Sequence, residues 1–216
     1  MSSHQHQPHQ PDHRDPESEY ELMSVALNEL LIEKGVYTAA ELRDMIDAVE
    51  AVEPSTHGAR VVARAWTDEG FKARLLADGN AAVQEMGFEI GHTALTALEN
   101  TEELHNVVVC TLCSCYPRTL LGRPPSWYKS ASYRSRLVRD PRAVLNEFGT
   151  IIPEDVEVRV HDSTAELRYL ILPLRPANTG HMNEEELAGL VTRDSMIGVA
   201  VADEPDRPLE TVTAQR

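Results

Sequence analysis

The first part of the chain has the spacing of amphipathic helices. Apolar residues recur every three or four positions after the polar start, which predicts a first helix. A second helix is predicted to begin near Thr38, because Glu41 completes a capping box with it, and two more should follow with a break near Thr67. Helices with so little core of their own need a covering surface, so residues 20–87 are expected to form a helical arm against a second domain or a partner chain. The apolar positions of the first helix are Met23, Leu27, Leu30 and Leu31.

After Gly87, short apolar runs replace the helical spacing. The sequence "HNVVVC" predicts a buried strand that ends at Cys110. Residues 156–163 and 167–174 alternate or run apolar, and they predict two strands joined by a short polar turn.

Two helical segments accompany these strands. Residues 131–148 have helical spacing with an interruption at Pro141, and residues 183–198 have it with Asn183 as the N-cap. Helices that lie before and around a few strands indicate an α+β fold, with residues 88–200 as its globular domain.

Both ends of the chain are polar and have almost nothing to bury. Residues 1–19 and 201–216 are therefore predicted to be polar tails, the first of them disordered. The first tail holds four of the nine histidines, a composition that allows metal capture, although a disordered segment holds no fixed ligand geometry. These histidines are His4, His6, His9 and His13.

Composition and charge narrow the function classes. The 216 residues suffice for one domain of ordinary size plus a helical arm, and 42% hydrophobic residues are enough for a core. A net charge of -15 argues against nucleic acid as the main partner, because phosphate binding needs a basic footprint. No apolar run reaches the length of a membrane span, and the N-terminus lacks the basic-then-apolar pattern of an export signal, so a cytoplasmic protein is expected.

All three cysteines, Cys110, Cys113 and Cys115, follow the predicted buried strand within six residues. Three thiols cannot all pair within one chain, and nothing in the sequence indicates secretion. The cysteines are therefore expected to serve as thiolates for a metal or for catalysis.

Three chemistries remain open for this C-x-x-C-x-C spacing. Zinc would need a fourth ligand, and neither His105 nor His161 is an obvious one. A redox pair usually opens a helix, whereas a tyrosine and a proline follow here. A third arrangement combines two sulfurs with the backbone amides of Ser114 and Cys115 in one plane and places Cys110 on its axis. Soft thiolates and strong-field amides suit a trivalent transition metal with an open Lewis-acid position.

The stretch "VCTLCSCYP" (109–117) closely resembles the metal-binding motif of nitrile hydratase alpha subunits. The resemblance covers roughly residues 20–200. It implies a layered α/β/β/α domain after the helical arm, with residues 88–200 as the metal-binding catalytic domain. Other segments similar to this family are 121–145, 157–176 and 190–199.

The resemblance implies a claw of ligands around one metal ion per chain. Cys110 would bind as a thiolate, Cys113 as a sulfinic acid and Cys115 as a sulfenic acid. The deprotonated amides of Ser114 and Cys115 would complete the protein ligands. Thr111 resembles the cobalt class of the family, which implies non-corrin, low-spin Co(III).

The family reaction is the hydration of a nitrile to an amide, a hydro-lyase reaction. The resemblance implies that the nitrile carbon becomes electrophilic at the open metal position and is attacked by water or by the Cys115 sulfenate oxygen, with Ser114 hydrogen-bonded nearby. It also implies a hetero-oligomer with a beta-type subunit, formed by one chain or two, and a cobalt-delivery chaperone. A non-catalytic, zinc-binding interaction subunit is the competing hypothesis from another class.

Two positions depart from the family pattern. Arg118 replaces the tryptophan that usually follows the Tyr-Pro pair, and Gly91 stands where a glutamine near the substrate is usual. Arg118 resembles the gamma subunit of thiocyanate hydrolase, a relative with the same cobalt claw that produces carbonyl sulfide and ammonia. It also suits three-subunit nitrile hydratases that act on bulky heterocyclic nitriles. A neutral nitrile is the expected substrate, and thiocyanate is the alternative.

Residues 116–142 carry seven basic side chains and one acid in an otherwise acidic chain. Three explanations fit this asymmetry: compensation for an anionic metal claw, steering of an anion, and a solvated helix face that meets an acidic partner. Arg118, Tyr116 and Trp127 are the expected substrate-pocket residues. Packing at a domain or subunit interface is the more usual role for neighbours such as Trp127 and Tyr128.

Overall fold

Groups of helices alternate with pairs of short strands along the chain. A computed structural model describes residues 19–42 and 55–205. The helices are α1 (Glu19–Glu33), α2 (Ser55–Thr67), α3 (Glu69–Ala77), α4 (Gly79–Glu85), α5 (Arg118–Leu121), α6 (Ser126–Lys129), α7 (Ala131–Leu137), α8 (Pro141–Glu147), α9 (Glu184–Ala188) and α10 (Arg193–Ile197). The strands are β1 (Ala94–Glu99), β2 (Leu104–Val109), β3 (Glu157–Asp162) and β4 (Leu167–Leu172). In these two ranges no helix is both long and apolar enough to cross a membrane.

The strands form two small parallel sheets. β1 pairs with β4 so that Ala94 lies opposite Leu167, and β2 pairs with β3 so that Val109 lies opposite Asp162. The predicted strands β2, β3 and β4 are confirmed, whereas β1 was not predicted. β3 and β4 follow each other along the chain but lie in different sheets, because each pairs with an earlier strand. The short turn between them is therefore a crossover between the sheets.

Aspartate caps divide the helical segment that precedes β1. Asp68 accepts a hydrogen bond from the Phe71 amide at 2.9 Å and starts α3, which confirms the predicted break near Thr67. Asp78 accepts from the Ala81 amide at 3.0 Å and starts α4. This second break was not predicted, and it yields one more helix than expected, because an aspartate N-cap restarts the helix.

The two later helical predictions have different outcomes. The interruption at Pro141 is confirmed, since α7 ends at Leu137 and Asp140 caps α8. The Asn183 cap is confirmed as well, as part of a capping box. A single helix over 183–198 is wrong, because a second capping box formed by Thr192 and Ser195 starts α10 separately.

The beginning of the predicted second helix is confirmed by its cap. The Thr38 amide donates to Glu41 Oε2 at 2.7 Å, and the Glu41 amide donates to Thr38 Oγ1 at 3.1 Å. The remainder of this helix lies outside the described residues. The four histidines of the first tail and residues 206–216 also lie outside them.

The largest hydrophobic core joins the N-terminal helices to the strands. Phe71 and Leu75 of α3 belong to the same buried cluster as Val107 of β2 and Leu170 of β4. The mixture of helices and strands agrees with the α+β prediction. The division into an arm of residues 20–87 and a domain of residues 88–200 stays a prediction, as does the four-layer arrangement.

Gly198 joins α10 to β2 at the end of this core. It ends α10 in the left-handed conformation, with φ of +89°. A side chain here would overlap the carbonyl oxygen of Asn106 in β2, so only glycine allows this approach. The contact fixes the strand that leads into the cysteines.

Candidate metal centre

The three cysteines lie in a loop at the carboxyl end of β2. Cys110 is fully buried directly after the strand, Cys115 is 8% exposed, and Cys113 between them is exposed. The apolar run of β2 explains this placement, because its buried valines anchor the strand and leave the loop at the sheet edge. One side of the sulfur cluster therefore faces the core and the other faces outward.

The sulfur atoms converge on one point. Cys110 Sγ lies 3.5 Å from Cys113 Sγ, and Cys113 Sγ lies 3.2 Å from Cys115 Sγ. All three sulfurs lie within 4.8 Å of one another, and in the described part of the chain they are the one group of three or more metal-ligating side chains with this spacing. Three sulfurs around one point fit a single soft transition-metal ion.

The structure does not bring either histidine candidate to the cysteines. His105 Nε2 donates to the Gly198 carbonyl oxygen at 2.7 Å, and Asn100 donates to its Nδ1 at 3.3 Å. His161 Nε2 donates to Asn106 Oδ1 at 2.8 Å. Both rings belong to a polar network between the strands, so the zinc hypothesis gains no fourth ligand from them.

Burial and the neighbouring thiols shift the pKa values of Cys113 and Cys115 in opposite directions. Hydrogen bonding from Cys115, and then from Cys110, lowers the pKa of the Cys113 thiol. Burial, more than the neighbouring thiols, raises the pKa of Cys115 to about 12, and Arg168 opposes this rise. Cys113 is therefore the better thiolate of this pair in the metal-free loop, and full ligation by both must release a proton from Cys115.

Asp162 ties the loop to the end of β3. Its Oδ1 accepts from the Thr111 amide at 2.9 Å and its Oδ2 accepts from Thr111 Oγ1 at 2.6 Å. The guanidinium of Arg134 reaches the Thr111 carbonyl oxygen at 3.4 Å. Sequence reasoning missed Asp162, because its role depends on the parallel pairing that places it opposite Val109.

Three buried tyrosines donate to backbone carbonyl oxygens in the loop or in the segments next to it. Tyr128 donates to the Cys115 carbonyl oxygen at 2.9 Å, Tyr133 to that of Val108 at 2.7 Å, and Tyr116 to that of Leu121 at 3.2 Å. Trp127 packs edge-on against Tyr128, Tyr133 and Phe148. This packing explains the aromatic cluster, and the place of Tyr116 and Trp127 in a substrate pocket stays a prediction.

The two departures from the family pattern both lie on the surface. Arg118 is exposed at the first position of α5, and its side chain has no hydrogen bond or ion pair within the described ranges. Gly91 lies in the turn before β1 with φ of +71°, and nothing is within 4 Å of the place where its Cβ would be. A side chain at position 91 would be conformationally strained but not crowded.

The basic segment divides into paired and exposed cations. Arg136 pairs with Glu147, and Arg142 donates to backbone carbonyl oxygens of the following loop. Arg139 is exposed, and it lines an open groove of about 370 Å³ beside Thr111 together with the half-buried Arg134, which donates to the Thr111 carbonyl oxygen. Some of these cations therefore stabilise the fold. Others face solvent near the loop of residues 110–115, which we call the metal loop.

Comparisons with known proteins agree with this geometry. The family model described as "Nitrile hydratase, alpha chain" matches residues 18–200. The alpha subunit of the low-molecular-weight cobalt-containing nitrile hydratase from Rhodococcus rhodochrous is 50% identical over 183 residues, which are 84% of this chain and 88% of that subunit. The gamma subunit of thiocyanate hydrolase from Thiobacillus thioparus is 43% identical over 211 residues, 92% of this chain and 85% of that subunit.

Solved structures give the same result. A double histidine mutant of the Fe-type nitrile hydratase from Comamonas testosteroni Ni1 superposes with a TM-score of 0.80 at 42% identity, over 91% of this chain and 98% of that one. A thiocyanate hydrolase mutant with an arginine-to-tryptophan substitution superposes with a TM-score of 0.76 at 42% identity, over 92% and 95%.

Proposed function

This chain belongs to the nitrile hydratase alpha-chain family, and from that premise we propose that it is the metal-bearing subunit of a cobalt-containing nitrile hydratase. The observation that carries the proposal is the convergence of three sulfurs within 4.8 Å on the loop after β2. The relatives named as cobalt-containing make cobalt the proposed ion. The enzyme is a hetero-oligomer, and its alpha chain works with a beta-type subunit.

The finer chemistry of the centre is also proposed. Cys110 serves as a thiolate, Cys113 as a sulfinate and Cys115 as a sulfenate, with the Ser114 and Cys115 amides as further ligands. Bound non-corrin Co(III), one ion per chain, supplies a Lewis acid for the carbon–nitrogen triple bond. Cys113 is exposed and Ser114 is half-buried, which supports this assignment because a substrate or a beta-type chain can reach residues that solvent reaches.

Ser114 has separable roles in this proposal. Its backbone nitrogen is a ligand, whereas its hydroxyl hydrogen-bonds the reacting group. Ser114→Ala should therefore keep cobalt but slow turnover, and Cys113→Ala or Cys115→Ala should abolish activity. Cobalt analysis of the three variants separates ligation from catalysis, and complete loss of cobalt from Ser114→Ala would contradict the division of roles.

Two substrate classes compete at this site. A neutral nitrile is the proposed substrate, supported by the higher identity to nitrile hydratase alpha subunits. Arg118 is exposed and has no partner among the described residues, and it favours thiocyanate as the second candidate, because a guanidinium attracts an anion. A cobalt-delivery chaperone and a beta partner formed by one chain or two remain part of the proposal.

The deciding experiment measures metal content and turnover of the assembled complex. We expect one cobalt per chain, a thiolate-to-metal charge-transfer absorption band, and hydration of a small aliphatic or a heteroaromatic nitrile. Zinc bound to unmodified cysteines would overturn the enzyme assignment. If the complex turns over thiocyanate and no nitrile, thiocyanate is the substrate and the nitrile proposal is wrong.

Arg118→Trp tests how the exposed cation acts on specificity. If Arg118 attracts the substrate by charge, the variant should lose about ten- to hundredfold more kcat/KM with thiocyanate than with a neutral nitrile. Equal losses for both substrates would show that Arg118 does not select by charge. Arg139 is a cation in the groove beside Thr111, so Arg139→Trp is the matched control. It should change kcat/KM little with either substrate.

A further inference from the structure

The phenol of Tyr128 donates to the backbone carbonyl oxygen of Cys115, one of the proposed ligand residues. Tyr128, Tyr133 and Tyr116 are all buried and all donate to backbone carbonyl oxygens. In the described part of the chain, Tyr128 is the tyrosine whose acceptor belongs to a loop cysteine, at 2.9 Å. The other two anchor Val108 in β2 and Leu121 at the end of α5.

Cys115 is unusual among the three cysteines because the proposed function uses both its amide nitrogen and its sulfur. Those two ligand atoms and the Cα and Cβ atoms between them would close a five-membered ring with a bound ion. The carbonyl carbon is the remaining backbone substituent on the same Cα. A hydrogen bond that fixes the carbonyl oxygen therefore limits rotation of the Cα on which both ligand atoms depend.

We propose that Tyr128 is a positioning residue that holds this chelate ring of Cys115 in register with the other sulfurs. The proposal rests on the proposed function, since it needs the metal that the loop is proposed to bind. Tyr128 acts through the Cys115 peptide, because its phenol is fully buried and donates to the Cys115 carbonyl oxygen.

The surroundings of Tyr128 suit a rigid support. Its side chain is fully buried, with ring centroids 5.2 Å from Tyr116, 5.7 Å from Tyr133 and 6.0 Å from Trp127. Burial raises the pKa of the phenol well above its ordinary value, so it remains a neutral donor. A phenol held by rings on several sides can keep its hydrogen bond while the open face of the loop binds and releases small molecules.

The test compares Tyr128→Phe with Tyr133→Phe in the assembled, cobalt-loaded complex. Both changes delete one buried phenol that donates to a backbone carbonyl, and only the first acceptor belongs to a proposed ligand residue. We expect Tyr128→Phe to shift the charge-transfer absorption band and to lower kcat about three- to tenfold with little change in KM. Both variants should lower the thermal midpoint by similar amounts, because each loses one buried hydrogen bond. Tyr133→Phe should leave the absorption band and kcat unchanged.

The outcomes are separable from failure of the proposed function. Wild-type complex without cobalt or activity would remove the premise before any variant is compared. With an active wild type, an unshifted band in Tyr128→Phe, or the same shift in Tyr133→Phe, would overturn the positioning role. If Tyr128→Phe does not assemble, 3-fluorotyrosine incorporated at position 128 keeps the ring and strengthens the donor. It should shift the band measurably, and an unchanged band would refute the proposal.

Discussion

At the scale of single residues, the metal loop depends on one carboxylate from another strand. Asp162 accepts both hydrogen bonds that Thr111 donates, from the amide and from the hydroxyl. A charged acceptor strengthens such bonds, although the exposure of both residues allows water to compete. The pair therefore contributes more to the shape of the loop than to the stability of the whole chain.

Asp162→Asn should loosen the metal loop and leave the fold intact. The amide keeps its size but loses the negative charge and one acceptor, so we expect about two- to tenfold faster loss of cobalt to a chelator. The thermal midpoint of the chain should change little. Glu157→Gln at the other end of β3 is the control, because that exposed carboxylate pairs with Arg159 away from the loop. Equal rates of cobalt loss in both variants would contradict the role of Asp162.

Two histidines, the buried His105 and the half-buried His161, make stability depend on pH. Burial lowers the pKa of His105 below its ordinary value near 6.5, and it lowers the pKa of His161 likewise, with a smaller contribution from Arg159. Below 6.5 the unfolded chain therefore binds protons that the folded chain excludes. The stabilisation is complete above this pH, and it decreases as the pH falls toward the lowered values.

Denaturant unfolding between pH 7.5 and about 5 checks this dependence. The free energy of unfolding should fall with pH, and His105→Gln should show a smaller fall even if it is less stable at neutral pH. His181→Gln, at an exposed position, should run parallel to the wild type. A His105→Gln profile with the wild-type slope would exclude His105 as a source of the effect.

At the scale of elements, two glycines allow two costs of adding a side chain to be measured apart: the cost of an unfavourable backbone conformation and the cost of overlap with a neighbour. Gly198 and Gly87 both have positive φ, +89° and +82°, but a Cβ would overlap Asn106 only at Gly198 and would meet nothing within 4 Å at Gly87. Gly87→Ala should cost about 1–2 kcal/mol from conformation alone. Gly198→Ala should cost about 1–3 kcal/mol more, because α10 or β2 must move. Equal free energies of unfolding for the two variants would show that α10 shifts freely.

Sequence spacing predicted elements where a local signal was strong. Pro141, the Asn183 cap and the apolar run before Cys110 each act through neighbours in the chain, and each prediction is confirmed. The breaks at Asp78 and Thr192 were missed, although an N-cap residue marks each of them. The pairing of β3 with β2 was not predictable from spacing, because parallel pairing depends on contacts between distant segments.

The candidate site also has residues that the sequence predicted and residues that only the structure revealed. The cysteine spacing and the resemblance that it carries pointed to a metal loop, and the three sulfurs do converge. Asp162 and Tyr128 support the loop from later segments, and nothing in their own sequence context indicates that contact. Their roles became visible only when the strands and the aromatic core were placed together.

At the scale of the whole molecule, α1 presents apolar side chains that are exposed in the described part of the chain. Met23 is 56% exposed, Leu27 57% and Leu30 47%. An apolar face of this kind on a family member that works with a beta-type subunit is a candidate contact with that subunit. The purified chain alone should therefore be inactive.

Leu27→Asp should weaken assembly with the beta-type subunit. A charge on the apolar face loses burial and must be desolvated, so we expect at least about a tenfold weaker association by analytical ultracentrifugation. The unfolding of the separate chain should be unchanged, because Leu27 is already exposed. Glu29→Lys, at an exposed polar position of the same helix, is the control. Full assembly of Leu27→Asp would place the subunit contact elsewhere.

Because β2 pairs with a strand that comes later in the chain, the cysteines are synthesised before the segments that hold them in place. The nascent chain releases β2 and the cysteines first, while the partner strand β3, with Asp162, is synthesised later. Gly198, which seals α10 against β2, emerges last of these contacts. Pairings between such distant segments form slowly. The thiols therefore leave the exit tunnel before the structure that arranges them exists, and we expect metal loading to follow translation rather than accompany it.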